Sequence, residues 1–269
     1  MIRESCLLVA FKDVMDEARG FLSLPHPVHE PDRNPRPASA PSGLPEAARR
    51  LLAMSQPIIG TIVAKYLRRR GITALPGTGS LRFHPRCHYQ PDEHGPTETW
   101  PAMIAAVTDL NEKMTGAQRT WLAPSGRDKA PIDTPRRALG HLLGNAVRFG
   151  VAGEVMAAGE GIETMLSLRC ALPAMPMVAA LSAAHLGQLL FPDTLRRHYL
   201  AHDDDSAGDG AMAILIDRAE QAGVAAIPLS PQLGDFNEDL RILGADALRA
   251  ALRIQIAPQD VARFMELAT

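Results

Sequence analysis

The first regular pattern along the chain is helical: Phe11, Val14, Met15, Ala18, Phe21 and Leu22 recur at the spacing of one helix face over residues 10–23. It gives way between Pro25 and Pro45 to a stretch rich in Pro, with Ser, Arg and Asn and little that could enter a core, which reads as an extended linker. Two helices are predicted next, over 46–54 and from Pro57 to Arg70, where Pro57 suits a first helical turn and Gly71 a stop. The basic end Arg68-Arg69-Arg70 complements the helix dipole. Strand-like runs follow at 81–84, 103–107 and 118–122, with a polar loop at 90–99, and these predict a small mixed sheet.

From Val155 the period changes. Apolar runs at 155–158, 176–181, 198–201 and 224–228 alternate with helical stretches near 162–172, 183–190, 207–222 and 236–253. Such alternation predicts a parallel sheet covered by helices on both faces, and hence an α/β fold. The expected organisation is an N-terminal helical arm (1–25), a Pro-rich linker (26–43), a smaller mixed α/β lobe (44–150), a parallel-sheet domain (151–256) and a C-terminal tail helix (257–269).

Composition agrees with that class: 46% of the 269 residues are hydrophobic and only 4% aromatic, which suits helices packed on sheets better than a β-sandwich. The start, Met1-Ile2-Arg3-Glu4-Ser5-Cys6, lacks the order of a secretory signal, and no run approaches eighteen apolar residues, so a cytoplasmic protein with no membrane partner is expected. Cys6, Cys87 and Cys170 stand far apart without a C-x-x-C pair, which encodes neither a disulfide framework nor a zinc ribbon. The net charge of −2 conceals an asymmetry, +6 over residues 1–150 and −8 over 151–269. A basic half joined to an acidic half suits a protein that grips a polyanion with one part and holds divalent cations with the other.

The acidic residues fall where a parallel sheet binds its ligands, beyond the carboxyl ends of the strands. Glu160 follows the first run and lies between Gly159 and Gly161; Asp203-Asp204-Asp205 follow the third; Gly234-Asp235-Phe236-Asn237-Glu238-Asp239 follow the fourth. In an extended segment residues i and i+2 share a face, so Asp203 and Asp205 can converge on one cation while Asp204 points away. Carboxylate oxygens suit Mg²⁺, which keeps waters and takes substrate phosphates as further ligands.

The order Glu160-Gly161, then Ala201-His202-Asp203-Asp204-Asp205-Ser206-Ala207-Gly208, then Asp235 to Asp239 resembles the Toprim domain shared by bacterial primases, type IA and II topoisomerases and some nucleases. It most resembles the primase-like Toprim proteins of bacterial plasmids and integrated mobile elements, over roughly residues 44–256. The resemblance implies a Rossmann-like parallel sheet preceded by a primase-like lobe. It implies Glu160 as the acid/base residue, Asp203 and Asp205 as the metal pair, and Asp235 and Asp239 as support for a second metal or positioning of the first. Gly116-Ala117-Gln118-Arg119 resembles the glycine-arginine strand of the primase lobe, and Lys129-Ala130-Pro131 with Thr134-Pro135-Arg136-Arg137 its lysine-containing loop, which places Arg119 and Lys129 among the catalytic residues. Arg82, Arg86, Arg136 and Arg137 are the expected nucleic-acid contacts.

The implied function is Mg²⁺-dependent nucleotidyl transfer, with Mn²⁺ as a substitute, on single-stranded DNA in mobile-element replication. Its partners would be DNA, nucleoside triphosphates and a replicative helicase. A metal-dependent nuclease and a DNA-binding accessory protein with a vestigial site are the alternatives. The zinc module of primases has no counterpart in the sequence, and the opening residues resemble the interior of longer relatives just after it, which bears on priming in particular. His84, Cys87 and His88 form an H-x-x-C-H cluster without a fourth ligand, so no zinc is expected. Trp100 and Trp121 are read as core.

Overall fold

The computed structural model describes residues 44–75, 79–91, 95–201 and 206–265. The expected arm over 1–25 and linker over 26–43 therefore lie outside the described residues, as do Asp203, Asp204 and Asp205. Among the described residues no helix is long and apolar enough to cross a membrane.

The first lobe is built on a five-stranded antiparallel sheet in the order β1 (Gln56–Pro57), β2 (Leu81–Tyr89), β3 (Glu98–Thr108), β4 (Met114–Trp121), β5 (Arg136–Gly140). It is antiparallel throughout, not mixed as expected. Pro57 does not start a helix. It ends a two-residue edge strand paired with Arg82, a position where a proline costs no ladder bond, and the helix begins at Ile62 after the turn at Gly60. Helix α1 (Leu44–Ala53) puts Ala48 into a small core with Cys87, Tyr89, Ile104 and Trp121 on one face of this sheet. Helix α2 (Ile62–Arg69) packs Val63, Tyr66 and Leu67 against Phe83 and Met103 of the other face.

The second sheet runs β10 (Ala225–Leu229), β9 (Arg197–Ala201), β7 (Val155–Gly159), β8 (Met177–Ala179), β6 (Val147–Phe149). Its first four strands are parallel and β6 is an antiparallel edge. Alternation sends Val155, Ala157, Met177, Ala179, Tyr199 and Ala201 to one core, and Met156, Ala158, Val178 and Leu200 to another. The first core is covered by α3 (Ile162–Ala171), α6 (Phe236–Ile242) and α7 (Ala245–Arg253); the second by α4 (Ala183–Gly187) and α5 (Ser206–Gln221). The helix expected over 236–253 is two, because Gly244 takes φ 87° between α6 and α7. The tail helix α8 (Pro258–Phe264) is pinned by buried Asp260, which accepts hydrogen bonds from Arg197 and from the Tyr199 hydroxyl, each at 2.7 Å.

The packing is continuous across residue 150. One apolar cluster contains Tyr66, Leu67, Phe83, Met103 and Val107 together with Val155, Met165, Leu166, Tyr199 and Phe236. The boundary divides sheets rather than cores, since the buried faces of α2 and α3 share one interior.

Candidate active site

Strand β7 delivers Glu160 at its carboxyl end. Gly159 is required there by close approach: a Cβ on it would lie 2.7 Å from the Met165 Sδ and 2.9 Å from the Ala201 Cβ. Asp235 comes from the loop after β10 as the N-cap of α6, its Oδ1 accepting the Glu238 N–H at 2.6 Å. Glu160 and Asp235 line one cavity of about 490 Å³. Its other walls come from both lobes and include Arg70, Gln118, Lys129 and Arg136, with Glu163, Thr164, Ser182 and Asn237.

Three cations line the same cavity as the carboxylates. Lys129 sits in the loop leaving β4, bridged to Leu122, and Arg136 opens β5. Arg70 ends α2, stacks its guanidinium 4.9 Å over the Tyr66 ring, and reaches Asn237 Oδ1 at 3.3 Å and Asp128 Oδ1 at 3.5 Å. Asn237 Nδ2 donates back to the Arg70 carbonyl and to Ser167 Oγ, each at 2.9 Å. Beneath them Glu163, buried in the first turn of α3, accepts a 2.7 Å hydrogen bond from the Tyr66 hydroxyl. Burial alone would raise the Glu163 pKa. The Tyr66 bond and the positive charges of Lys129 and Arg136 outweigh it and hold the carboxyl below its ordinary range. Burial and then the Glu163 charge push Tyr66 upward, so it remains a donor. Burial draws Lys129 below the ordinary lysine value, and Glu163 opposes that shift.

Backbone geometry is unusual at one wall. Leu181 has φ 80°, in the left-handed region that a γ-branched residue rarely enters, while its N–H donates to the Glu160 carbonyl at 2.8 Å. That bond fixes the chain on which Glu160 and Ser182 stand at the cavity rim.

Of the residues singled out from sequence, Glu160, Asp235, Lys129 and Arg136 come together in this cavity. Asp203 and Asp205 follow β9 beyond the described residues. The structure places the other singled-out residues outside the cavity lining. Both Asp239 oxygens accept backbone N–H groups, from Gln232 and Leu233 at 2.9 Å, so this buried carboxylate ties the loop instead of facing the cavity. Arg119 lies on the opposite face of β4 from Gln118 and stacks 5.1 Å over Trp121, because successive strand residues alternate. Arg82 donates twice to the Ser55 carbonyl. Arg137 is spent on the Gln90 and Pro91 carbonyls, Thr134 and the Tyr89 ring. Arg86 is exposed beside the β-bulge between His84 and Cys87 and does not line the cavity.

Sequence reasoning missed Arg70, Glu163, Gln118 and Asn237. Two signals were available. Arg70 stands four residues after Tyr66, on the buried face of an amphipathic helix. Glu163 is an acid in a helix buried on nearly every side, and a buried carboxylate requires a partner.

Residues 155–246 match the family model of the Toprim domain. Residues 42–149 match a family described as a domain of unknown function, DUF7146. Among curated proteins no sequence matches the chain. Its fold is that of bacterial primase catalytic cores. A DNA primase domain from Pseudomonas aeruginosa superposes with a TM-score of 0.53 at 14% identity, covering 79% of this chain and 78% of that one. The E. coli primase catalytic core gives 0.54 at 13% identity over 79% and 80%. The zinc-binding and RNA polymerase domains of the Aquifex aeolicus primase give 0.52 at 14% identity over 95% and 69%.

The Toprim edge suits a hard divalent cation. The side chains that this edge presents to the cavity end in oxygen donors at Glu160, Asp235, Thr164 and Ser182, and no Cys or His among the described residues lines it.

Proposed function

We propose that this chain is a Mg²⁺-dependent primase-like nucleotidyltransferase acting on single-stranded DNA, with Mn²⁺ as a substitute, in the replication of a mobile element. The observation that carries this reading is the meeting of two opposite walls in one cavity: Glu160 and Asp235 on the Toprim edge, and Arg70, Lys129 and Arg136 on the other side. A cation there would be held by Asp203, Asp205 and Asp235. When bound it would neutralise phosphoryl charge and favour ionisation of an attacking 3′-hydroxyl.

The chain's own residues supply the rest. Lys129, Arg136 and Arg70 offer positive charge to the phosphate oxygens on the face away from the carboxylates, and charge matching of this kind is the main lever in phosphoryl transfer. Glu160 stands where a carboxylate can accept the proton of the attacking hydroxyl. Tyr66, Asn237 and Ser167 hold the two walls together across the lobes.

The test is incubation of the purified protein with Mg²⁺ or Mn²⁺, single-stranded DNA and labelled nucleoside triphosphates. Labelled oligonucleotide should accumulate with wild type and be lost in an Asp203→Asn, Asp205→Asn double variant. Shortening of the DNA without incorporation would replace this reading by that of a nuclease, and binding with neither reaction by that of an accessory protein.

A further inference from the structure

A buried acid needs a reason, and the scheme above gives Glu163 only its hydrogen bond with Tyr66. Glu163 lines the cavity while largely buried, its carboxylate fixed by the Tyr66 hydroxyl at 2.7 Å from a helix 97 residues earlier in the chain. Its backbone carbonyl accepts from Ser167 Oγ at 2.7 Å, and Ser167 in turn accepts from Asn237. Tyr66 is itself clamped beneath the Arg70 guanidinium. Every group around Glu163 is thus held by another, and the charge at the centre cannot move far.

Lys129 lines the same cavity from the opposite lobe. It is half-buried, and the other charged groups that bear on it are Arg136 on β5, Arg70 on α2 and the neighbouring Asp128. Two of these three are cations. Asp128 is committed elsewhere, its Oδ1 accepting the Lys129 backbone N–H at 2.8 Å and meeting Arg70 at 3.5 Å. Burial and the charges of Arg136 and Arg70 all disfavour the Lys129 ammonium, and a fixed anion opposes them.

We propose that Glu163, locked by Tyr66, is the fixed counter-anion that keeps Lys129 charged and directed into the cavity, where its ammonium meets a phosphoryl oxygen of the incoming nucleotide. Glu163 is accordingly a positioning residue that acts through Lys129. The function of the ammonium rests on the nucleotidyl-transfer reading, whereas the pairing of the two side chains does not. The arrangement also explains why a carboxylate stands here in place of a neutral acceptor. A glutamine would keep the Tyr66 hydrogen bond yet give Lys129 no charge to face.

The chain has four lysines, Lys12, Lys65, Lys113 and Lys129, so reductive ¹³C-methylation of the whole protein gives a sparse NMR spectrum in which Lys129 is assigned by Lys129→Arg. In Glu163→Gln, which preserves shape and the Tyr66 bond, the Lys129 titration midpoint should move to lower pH while the other lysines stay in place. Turnover should fall by roughly 10- to 100-fold, the range known for outer partners that orient metal ligands, with the melting temperature little changed. Glu163→Asp, which returns the charge at a greater distance, should bring the midpoint and part of the turnover back toward wild type. An unmoved Lys129 midpoint in Glu163→Gln would overturn the pairing, and unchanged turnover would overturn the positioning role. Should wild type itself prove inactive in nucleotidyl transfer, that function falls, yet the lysine midpoint still decides whether Glu163 is its counter-ion.

Discussion

Acidification should strip stability from this fold through one residue, His198 on β9. Its ring is fully buried against Phe191, edge to face at 5.4 Å, and neither ring nitrogen has a hydrogen-bond partner. Burial pushes its pKa down from 6.5 to about 3. The native imidazole is therefore neutral over most of the acid range, whereas the unfolded chain takes up a proton below about pH 6.5. The contribution is complete above pH 6.5 and declines as pH falls toward 3, because only the unfolded state gains from protonation. Integrated between those pKa values, the loss is about 2 kcal/mol at pH 5 and about 3 kcal/mol at pH 4. Urea unfolding of wild type and His198→Leu at pH 7.5 and pH 5 isolates it, since the other histidines cancel in the difference. The gap between the two proteins should shift by about 2 kcal/mol in favour of the variant at pH 5, or roughly 4–8 °C in melting temperature for a domain of this size. A gap independent of pH would mean that His198 titrates normally and the burial argument is wrong.

Asp239→Ala should lower stability by about 2–4 kcal/mol, as it orphans two backbone N–H groups, while divalent-cation affinity measured by titration calorimetry stays close to wild type; a large loss of affinity would restore its expected place among the ligands. Arg136→Ala should reduce the slope of log affinity for single-stranded DNA against log salt by about one unit, whereas Arg119→Ala, stacked on Trp121 on the far face, should leave that slope unchanged; equal effects would place Arg119 among the phosphate contacts. Gly159→Ala should destabilise by about 1–3 kcal/mol in thermal unfolding, because Met165 can yield but the Ala201 Cβ on the neighbouring strand cannot, and a neutral result would mean that β7 and β9 have room to part.

The Toprim half was the more legible part of the chain, and the reason is physical. Strands β7 and β9 are buried along nearly their whole length, so their apolar runs stand out, and a parallel sheet has one edge at which acids after several strands must gather. The antiparallel half hid β5, whose residues are exposed or half-buried and so carry no alternation to read. Pro57 was misassigned because proline serves equally at a helix start and on an edge strand. At the site, Glu160 and Asp235 were recoverable as acids after strands. Asp235 and Asp239 look alike in sequence, and only folding shows that one caps a helix beside the cavity while the other ties a loop. Arg119 and Gln118 differ by one position, which on a strand is the difference between two faces. The shared core between lobes could not be read at all, since an apolar residue does not announce which neighbour it will meet.

The most direct measurement is a comparison of wild type with Glu160→Gln in nucleotide binding and in turnover on single-stranded DNA with Mg²⁺. The account expects binding of DNA and nucleotide to survive within a few-fold and turnover to fall by roughly 10²-fold or more, as a proton-accepting carboxylate is removed. Full turnover in Glu160→Gln would contradict the assignment of this carboxylate, and with it the claim that the acidic edge and the cationic wall form one reacting site.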